Sequence, residues 1–150
     1  MNPAAIRLEE YAFLQVEGAK ALPFLHFEGD TPSPPVVAME VLDAPPVDWP
    51  KALVDPFADV VGDPAAWAAK CEKEYGAAMI CVRLVGTHPD FGKRSPDEAA
   101  KTVAAVLRAV TAPVIIWGCD VDDTDNLVLP RCCEAARGER CLVGTAKEDN

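Results

Sequence analysis

From Pro35 onward the sequence alternates short apolar runs with amphipathic helical stretches, strand then helix, three times over, and reaches a fourth apolar run at Cys141–Ala146. This alternation dictates a parallel sheet covered by helices, because parallel neighbours need a long crossover and a helix is the usual one. The strands are expected near 36–42, 79–85, 114–117 and 141–146. Four strands are half of an eight-stranded barrel, and such a barrel typically takes about 250 residues, whereas this chain has 150. The pattern predicts either a small open α/β sheet or the first half of a barrel spanning 35–150. An N-terminal segment, 1–34, precedes it. There, Tyr11–Val16 and Leu22–Phe27 flank Glu17–Lys20 as in a β-hairpin, and Pro32, Pro34 and Pro35 mark a linker.

Two helix starts are explicit. Asp63-Pro64 supplies an N-cap carboxylate and a first-turn proline, with Trp67, Cys71 and Tyr75 following at i, i+4, i+8 and Gly76 ending the run. Ser95-Pro96-Asp97-Glu98 is a capping box, followed by Ala99, Val103, Val106, Leu107 and Val110 on one face. Lys51–Val61 reads as a turn or two of helix. Leu127–Arg137 reads as a third long helix closed by Gly138, and Pro130 inside it predicts a late start or a kink.

A net charge of -10 argues against nucleic acid, which needs clustered Lys and Arg. Met1–Glu10 lacks the basic start and apolar core of a secretory signal, and no apolar run approaches the roughly 18 residues of a membrane span. A cytoplasmic protein is expected. Cys71, Cys81, Cys119, Cys132, Cys133 and Cys141 form no metal or iron–sulfur spacing, so reduced thiols are expected, Cys71 and Cys81 buried. No metal site is predicted.

Ligands of parallel α/β folds bind beyond the carboxyl ends of the strands. The loops there are Asp43–Asp48, Gly86–Asp90, Gly118–Asp123 and Thr145–Glu148. They offer Asp43, Asp90, Asp120, Asp122, His88 and Cys119, without a spaced nucleophile, phosphate loop or zinc motif. No catalytic residue is assigned. Asp122, Asp123 and Asp125 lack the Gly and late Glu of a calcium loop, so a solvated acidic loop is expected. Glu40 and Arg83 each interrupt a strand that should be buried on both faces, which predicts a buried ion pair inside the barrel, with ligand contact as the alternative. Trp67, Tyr75 and Trp117 are read as core, and Trp49 as a plug at the barrel rim.

The segments ALPFLHFEG (Ala21–Gly29), PVVAMEVLD (Pro35–Asp43), DWPKALVDPFADVVGDPAAWAAKCEKEYGA (Asp48–Ala77), SPDEAAKTVAAVLRAV (Ser95–Val110) and GERCLVGTAKEDN (Gly138–Asn150) carry a family resemblance. Together they resemble the small subunit of the corrinoid/iron–sulfur protein, also called the delta subunit of the acetyl-CoA decarbonylase/synthase complex. The resemblance covers nearly the whole chain after about residue 15. It implies a TIM barrel, (β/α)8, of which this chain would hold an N-terminal hairpin and about four βα units, a fragment of the family's length. It also implies a non-catalytic subunit pairing with a large (gamma) subunit that carries corrinoid (cobalamin) and iron–sulfur cluster. The implied role is to help enclose the corrinoid while a methyl group passes from a methyl-tetrahydropterin to cobalt and on to acetyl-CoA synthase, in the reductive acetyl-CoA pathway of carbon fixation. This chain alone would bind no cofactor, and a methyltransferase and acetyl-CoA synthase would be transient partners. The strand-end residues Gly86, Thr87, Gly118, Cys119, Thr145 and Ala146 become candidates for contact with corrinoid or partner. The chain departs from the family pattern at Pro130, the acidic Asp120–Asp125 loop and the Cys132-Cys133 pair. The rival readings are a stand-alone pterin-dependent methyltransferase holding its pterin with Asp43, Asp90 or Asp120, and a small open-sheet binding domain.

Overall fold

A computed structural model of the chain describes residues 36–139 and 141–144. The chain divides into two compact units, Met1–Val37 and Ala38–Asn150. The expected hairpin, with His26, falls in the first and lies outside the described residues. The second holds strands β1 (Ala38–Leu42), β2 (Met79–Arg83), β3 (Val114–Trp117) and β4 (Leu142–Gly144), with helices α1 (Lys51–Val54), α2 (Pro64–Tyr75), α3 (Pro96–Ala109) and α4 (Asp122–Ala135). All neighbouring strands pair in parallel, in the order β1-β2-β3-β4.

That order fixes where the core lies. Parallel crossovers share one hand, so a sheet growing steadily in one direction receives its helices on one face. The register Val41↔Val82↔Ile116 puts these side chains on that face, fully buried with Ile80, Leu84 and Val114 beneath Trp67, Cys71, Val103, Val106, Val128 and Cys132. The helices pack in chain sequence, α2 on α3 and α3 on α4.

The other face carries Glu40, Cys81, Arg83, Ile115, Trp117 and Leu142, in the register Glu40↔Cys81↔Ile115↔Leu142. No helix covers it among the described residues, and two expectations change there. Glu40 and Arg83 do meet, but at 3.8 Å with side chains 41% and 37% exposed, so the pair is not buried. Cys81 is partly exposed as well. Trp117 is half-buried on the same face.

The capping signals translate directly. Asp63 accepts from the Ala65 and Ala66 amides, and Gly76 ends α2 in the left-handed region at φ 65°. Ser95 and Glu98 complete the reciprocal capping box of α3. Tyr75, expected in the core, is exposed, because i+8 lies about 80° around the helix from i. It stacks instead on Phe57, with centroids 5.1 Å apart. Trp49 packs edge-on against Trp67 at 6.1 Å, beside α2. The strands are shorter than expected at β1 and β2. After Leu84 the chain turns into a short 3-10 segment, Val85–Thr87, instead of extending the strand.

The largest correction concerns α4. It begins at Asp122, not near Pro130, so the expected acidic loop is the first turn of the helix. Asp122, Asp123 and Asp125 favour that place because the amino end of a helix carries partial positive charge. Pro130 is accommodated inside the helix: it and Asn126, whose carbonyl loses its partner, are both exposed, so water can solvate that carbonyl. Packing of Val128 and Cys132 into the core outweighs the local penalty.

Candidate functional site

The loops after β1, β2 and β3 meet at the carboxyl ends of the strands through carboxylates. Asp43, directly after β1, donates its amide to the Arg83 carbonyl at 3.1 Å and is 1% exposed. Its Oδ1 accepts from the Gly86 amide at 2.6 Å. Its Oδ2 is buried and has no hydrogen-bond partner among the described residues. Burial pushes the Asp43 pKa up, against the pull of the Gly86 N–H and the Arg94 guanidinium. Gly86 must be small, since a Cβ there would stand 2.8 Å from Arg94 Cδ and 2.9 Å from Asp43 Oδ2.

The third loop has the same design. Asp125, buried in the first turn of α4, accepts from the Cys119 amide at 2.8 Å and the Asp120 amide at 3.0 Å. Gly118 presses so close that a Cβ would come within 2.4 Å of that carboxylate. Thr87 and Cys119 bring the second and third loops together. Both are buried, the Thr87 hydroxyl donates to the Leu84 carbonyl at 2.7 Å, and burial raises the Cys119 thiol pKa despite its bond to Thr87.

Asp120 joins these loops to the helix-free face. Its φ of 69° is left-handed, a conformation held by the Asp125 bond. Its Oδ2 accepts from Arg83 Nη2 at 2.5 Å and its Oδ1 from the Trp117 indole at 3.1 Å. Arg83's tightest partner is thus Asp120, with Glu40 more distant. The Trp117 ring covers Gly144, where a Cβ would meet it at 2.8 Å.

Of the expected contact residues, Gly86, Thr87, Gly118 and Cys119 converge, but all are buried and occupied by their own chain. Thr145 and Ala146 lie outside the described residues. Asp43 and Asp120 are likewise engaged by Gly86, Arg83 and Trp117, and Asp90 is exposed. Among the described residues no group of three or more His, Cys, Asp or Glu could hold a metal ion. Burial pushes the thiols of Cys71, Cys81 and Cys141 up to about 11 and that of Cys132 to about 12, so they remain protonated and behave as small apolar groups. No described helix is long and apolar enough to cross a membrane.

Sequence reasoning placed Asp125 in a solvated acidic loop, whereas it is buried in the first turn of α4. The same reasoning gave Arg94 and Phe91 no role. Phe91 lies within what reads as a polar loop, and it is 75% exposed against the ring of His88. The flanking pair Gly86 and Gly92 was the available signal: a Cβ at Gly92 would fall 2.2 Å from the Gly86 carbonyl oxygen, so the two glycines close the loop.

Comparison with known proteins gives a consistent result. The sequence profile of the family described as CO dehydrogenase/acetyl-CoA synthase delta subunit matches residues 12–150. Proteins named acetyl-CoA decarbonylase/synthase complex subunit delta are similar over most of the chain. The one from Methanothermobacter thermautotrophicus is 46% identical over 132 residues, 88% of this chain and 33% of its own length. The one from Methanocaldococcus jannaschii is 41% identical over 133 residues, 89% of this chain and 32% of its own. The one from Archaeoglobus fulgidus is 35% identical over 132 residues, 88% of this chain and 29% of its own. The chain therefore spans about a third of the length of the curated relatives it matches.

Proposed function

Because the chain belongs to the CO dehydrogenase/acetyl-CoA synthase delta subunit family, we propose that it serves as a wall of the methyl-carrying unit in an acetyl-CoA decarbonylase/synthase complex. In this reading the sheet is part of a (β/α)8 barrel. Its strand carboxyl ends face the corrinoid carried by the large (gamma) subunit and help enclose it. A methyl group then passes from methyl-tetrahydropterin to the corrinoid and on to acetyl-CoA synthase, in the cytoplasm. The corrinoid, held by the partner, supplies the cobalt that carries the methyl group.

The observation that carries this reading is the family match across residues 12–150. A sheet ordered β1-β2-β3-β4, with its helices on one face, is the arrangement a barrel requires. The chemistry of the loops agrees with a wall. Asp43, Asp120 and Asp125 hold their own backbone and side chains in place, and the Cys119 thiol is buried and raised in pKa. His88 is engaged too, its Nδ1 accepting from the Asp90 amide at 3.1 Å. These residues suit the shaping of a surface more than proton or methyl transfer.

Co-expression of the chain with the corrinoid-carrying large subunit, followed by affinity purification, tests the reading. A stoichiometric complex is expected, with no methyl transfer from methyl-tetrahydropterin by the chain alone. Methyl transfer in the absence of any large subunit would identify a stand-alone pterin-dependent methyltransferase and reject the proposal.

A further inference from the structure

One carboxylate oxygen at the strand ends is left over. Asp43 Oδ2 is buried and bonds nothing among the described residues, while Oδ1 of the same carboxyl accepts from the Gly86 amide at 2.6 Å. A cation stands beside it. A Cβ on Gly86 would fall 2.9 Å from Asp43 Oδ2, 2.8 Å from Arg94 Cδ and 3.0 Å from Arg94 Nε. The oxygen and the guanidinium therefore border one slot, which exists because residue 86 has no side chain, and they do not bond across it.

The backbone on both sides of the slot is fixed. The Asp43 amide donates to the Arg83 carbonyl at 3.1 Å, and the Arg94 amide donates to the Gly86 carbonyl at 2.8 Å. Arg94 leads directly into the capping box of Ser95 and Glu98. What can move is the half-buried Arg94 side chain, whose charge acts on two carboxyls, Asp43 and Glu98. These two ionise in order. Hydrogen bonds from the Ser95 amide and hydroxyl hold the Glu98 pKa down. Burial pushes the Asp43 pKa up, against the Gly86 N–H and Arg94. From α4, the titratable group that faces Asp43 is the Cys132 thiol, which burial pushes up to about 12 and which stays neutral.

A buried carboxylate with one oxygen unpaired is costly, and an arginine, charged at every accessible pH, is the nearest remedy. The geometry points to a pH-operated latch: the Arg94 guanidinium swings across the Gly86 slot to Asp43 Oδ2 when Asp43 loses its proton to solvent, and returns toward Glu98 when Asp43 is protonated. Closed, the latch ties the end of β1 to the start of α3 by a charge-assisted hydrogen bond. Open, the Gly86 amide alone holds the Asp43 carboxyl. The strand-end loops are thus stiffer above the Asp43 midpoint than below it.

The test is an NMR pH titration of the chain that follows the Gly86 amide and the Arg94 Nε–H. In the wild type both resonances are expected to shift together, with one midpoint above the ordinary aspartate value of about 4. Arg94→Gln is expected to raise the Gly86 midpoint by about half a pH unit or more, roughly a threefold change in the acid constant, because the favourable charge is gone. Asp43→Asn is expected to abolish both shifts. An Arg94 Nε–H that does not move with Gly86 in the wild type overturns the inference without any variant. A Gly86 midpoint that Arg94→Gln leaves in place overturns it too. An Arg94 shift that persists in Asp43→Asn would report Glu98 instead and would have the same consequence.

Discussion

At the residue scale, the strand-end loops are organised by carboxylates that replace water as the partners of backbone amides. Gly118 shows how little room this leaves. Gly118→Ala would drive a Cβ to 2.4 Å from the Asp125 carboxylate, which also holds the Cys119 and Asp120 amides. A destabilisation on the order of 1–3 kcal/mol is expected from such overpacking, measurable by thermal or urea unfolding. Asp43 gives a pH signature. Burial, above all, raises its pKa in the folded chain over that of an ordinary carboxyl group. A raised carboxyl contributes stability that is fully present at pH below the unfolded value and is lost as pH rises through the folded one. Asp43→Asn keeps an acceptor for the Gly86 amide and cannot ionise. Its stability relative to wild type should therefore increase as pH rises from about 4, read from urea midpoints across pH; a difference that is flat with pH would show that Asp43 ionises as easily in the folded chain as in the unfolded one.

At the scale of elements, the helix starts obey local chemistry wherever one local signal dominates. Ser95→Ala removes the hydroxyl that accepts from the Glu98 amide at 3.3 Å, and a loss of about 1 kcal/mol is expected in unfolding experiments. In α4 two local signals conflict. Asp122, Asp123 and Asp125 favour the first turn, and Pro130 opposes the interior. Pro130→Ala should stabilise the chain by on the order of 1–3 kcal/mol, since the core contacts of Val128 and Cys132 are unchanged and the missing hydrogen bond to Asn126 is restored. The same conflict explains what could be read from the sequence. The starts of α2 and α3, each led by a cap and a proline, were legible. The start of α4 was not, because acidic residues serve a loop and a helix N-terminus equally well until Asp125 is seen to bind the Cys119 and Asp120 amides. The end of β2 was obscured for a similar reason: Leu84 and Val85 continue the apolar run, but Val85 has already entered the turn that carries Gly86 to Asp43.

At the scale of the whole molecule, chain order alone places the helices together and leaves Glu40, Arg83 and Trp117 on the opposite face. The parallel alternation was legible from periodicity. What periodicity could not supply was that this face stays half-exposed, because a run buried on both sides and a run buried on one side by helices look alike in four or five residues. The candidate site was legible only as a set of loops. That Gly86 and Gly118 are small to admit the chain's own carboxylates depends on register between residues 43 positions apart and on the first turn of α4, neither of which local sequence records.

We propose that this chain helps wall in a corrinoid carried by another subunit. The most direct measurement is the rate at which cyanide, added from solution, reaches the cobalt of the purified corrinoid-carrying large subunit, followed by visible absorption with and without the chain. Stoichiometric addition of the chain is expected to slow cyanide binding severalfold. An unchanged rate at concentrations where the two proteins form a complex would contradict it.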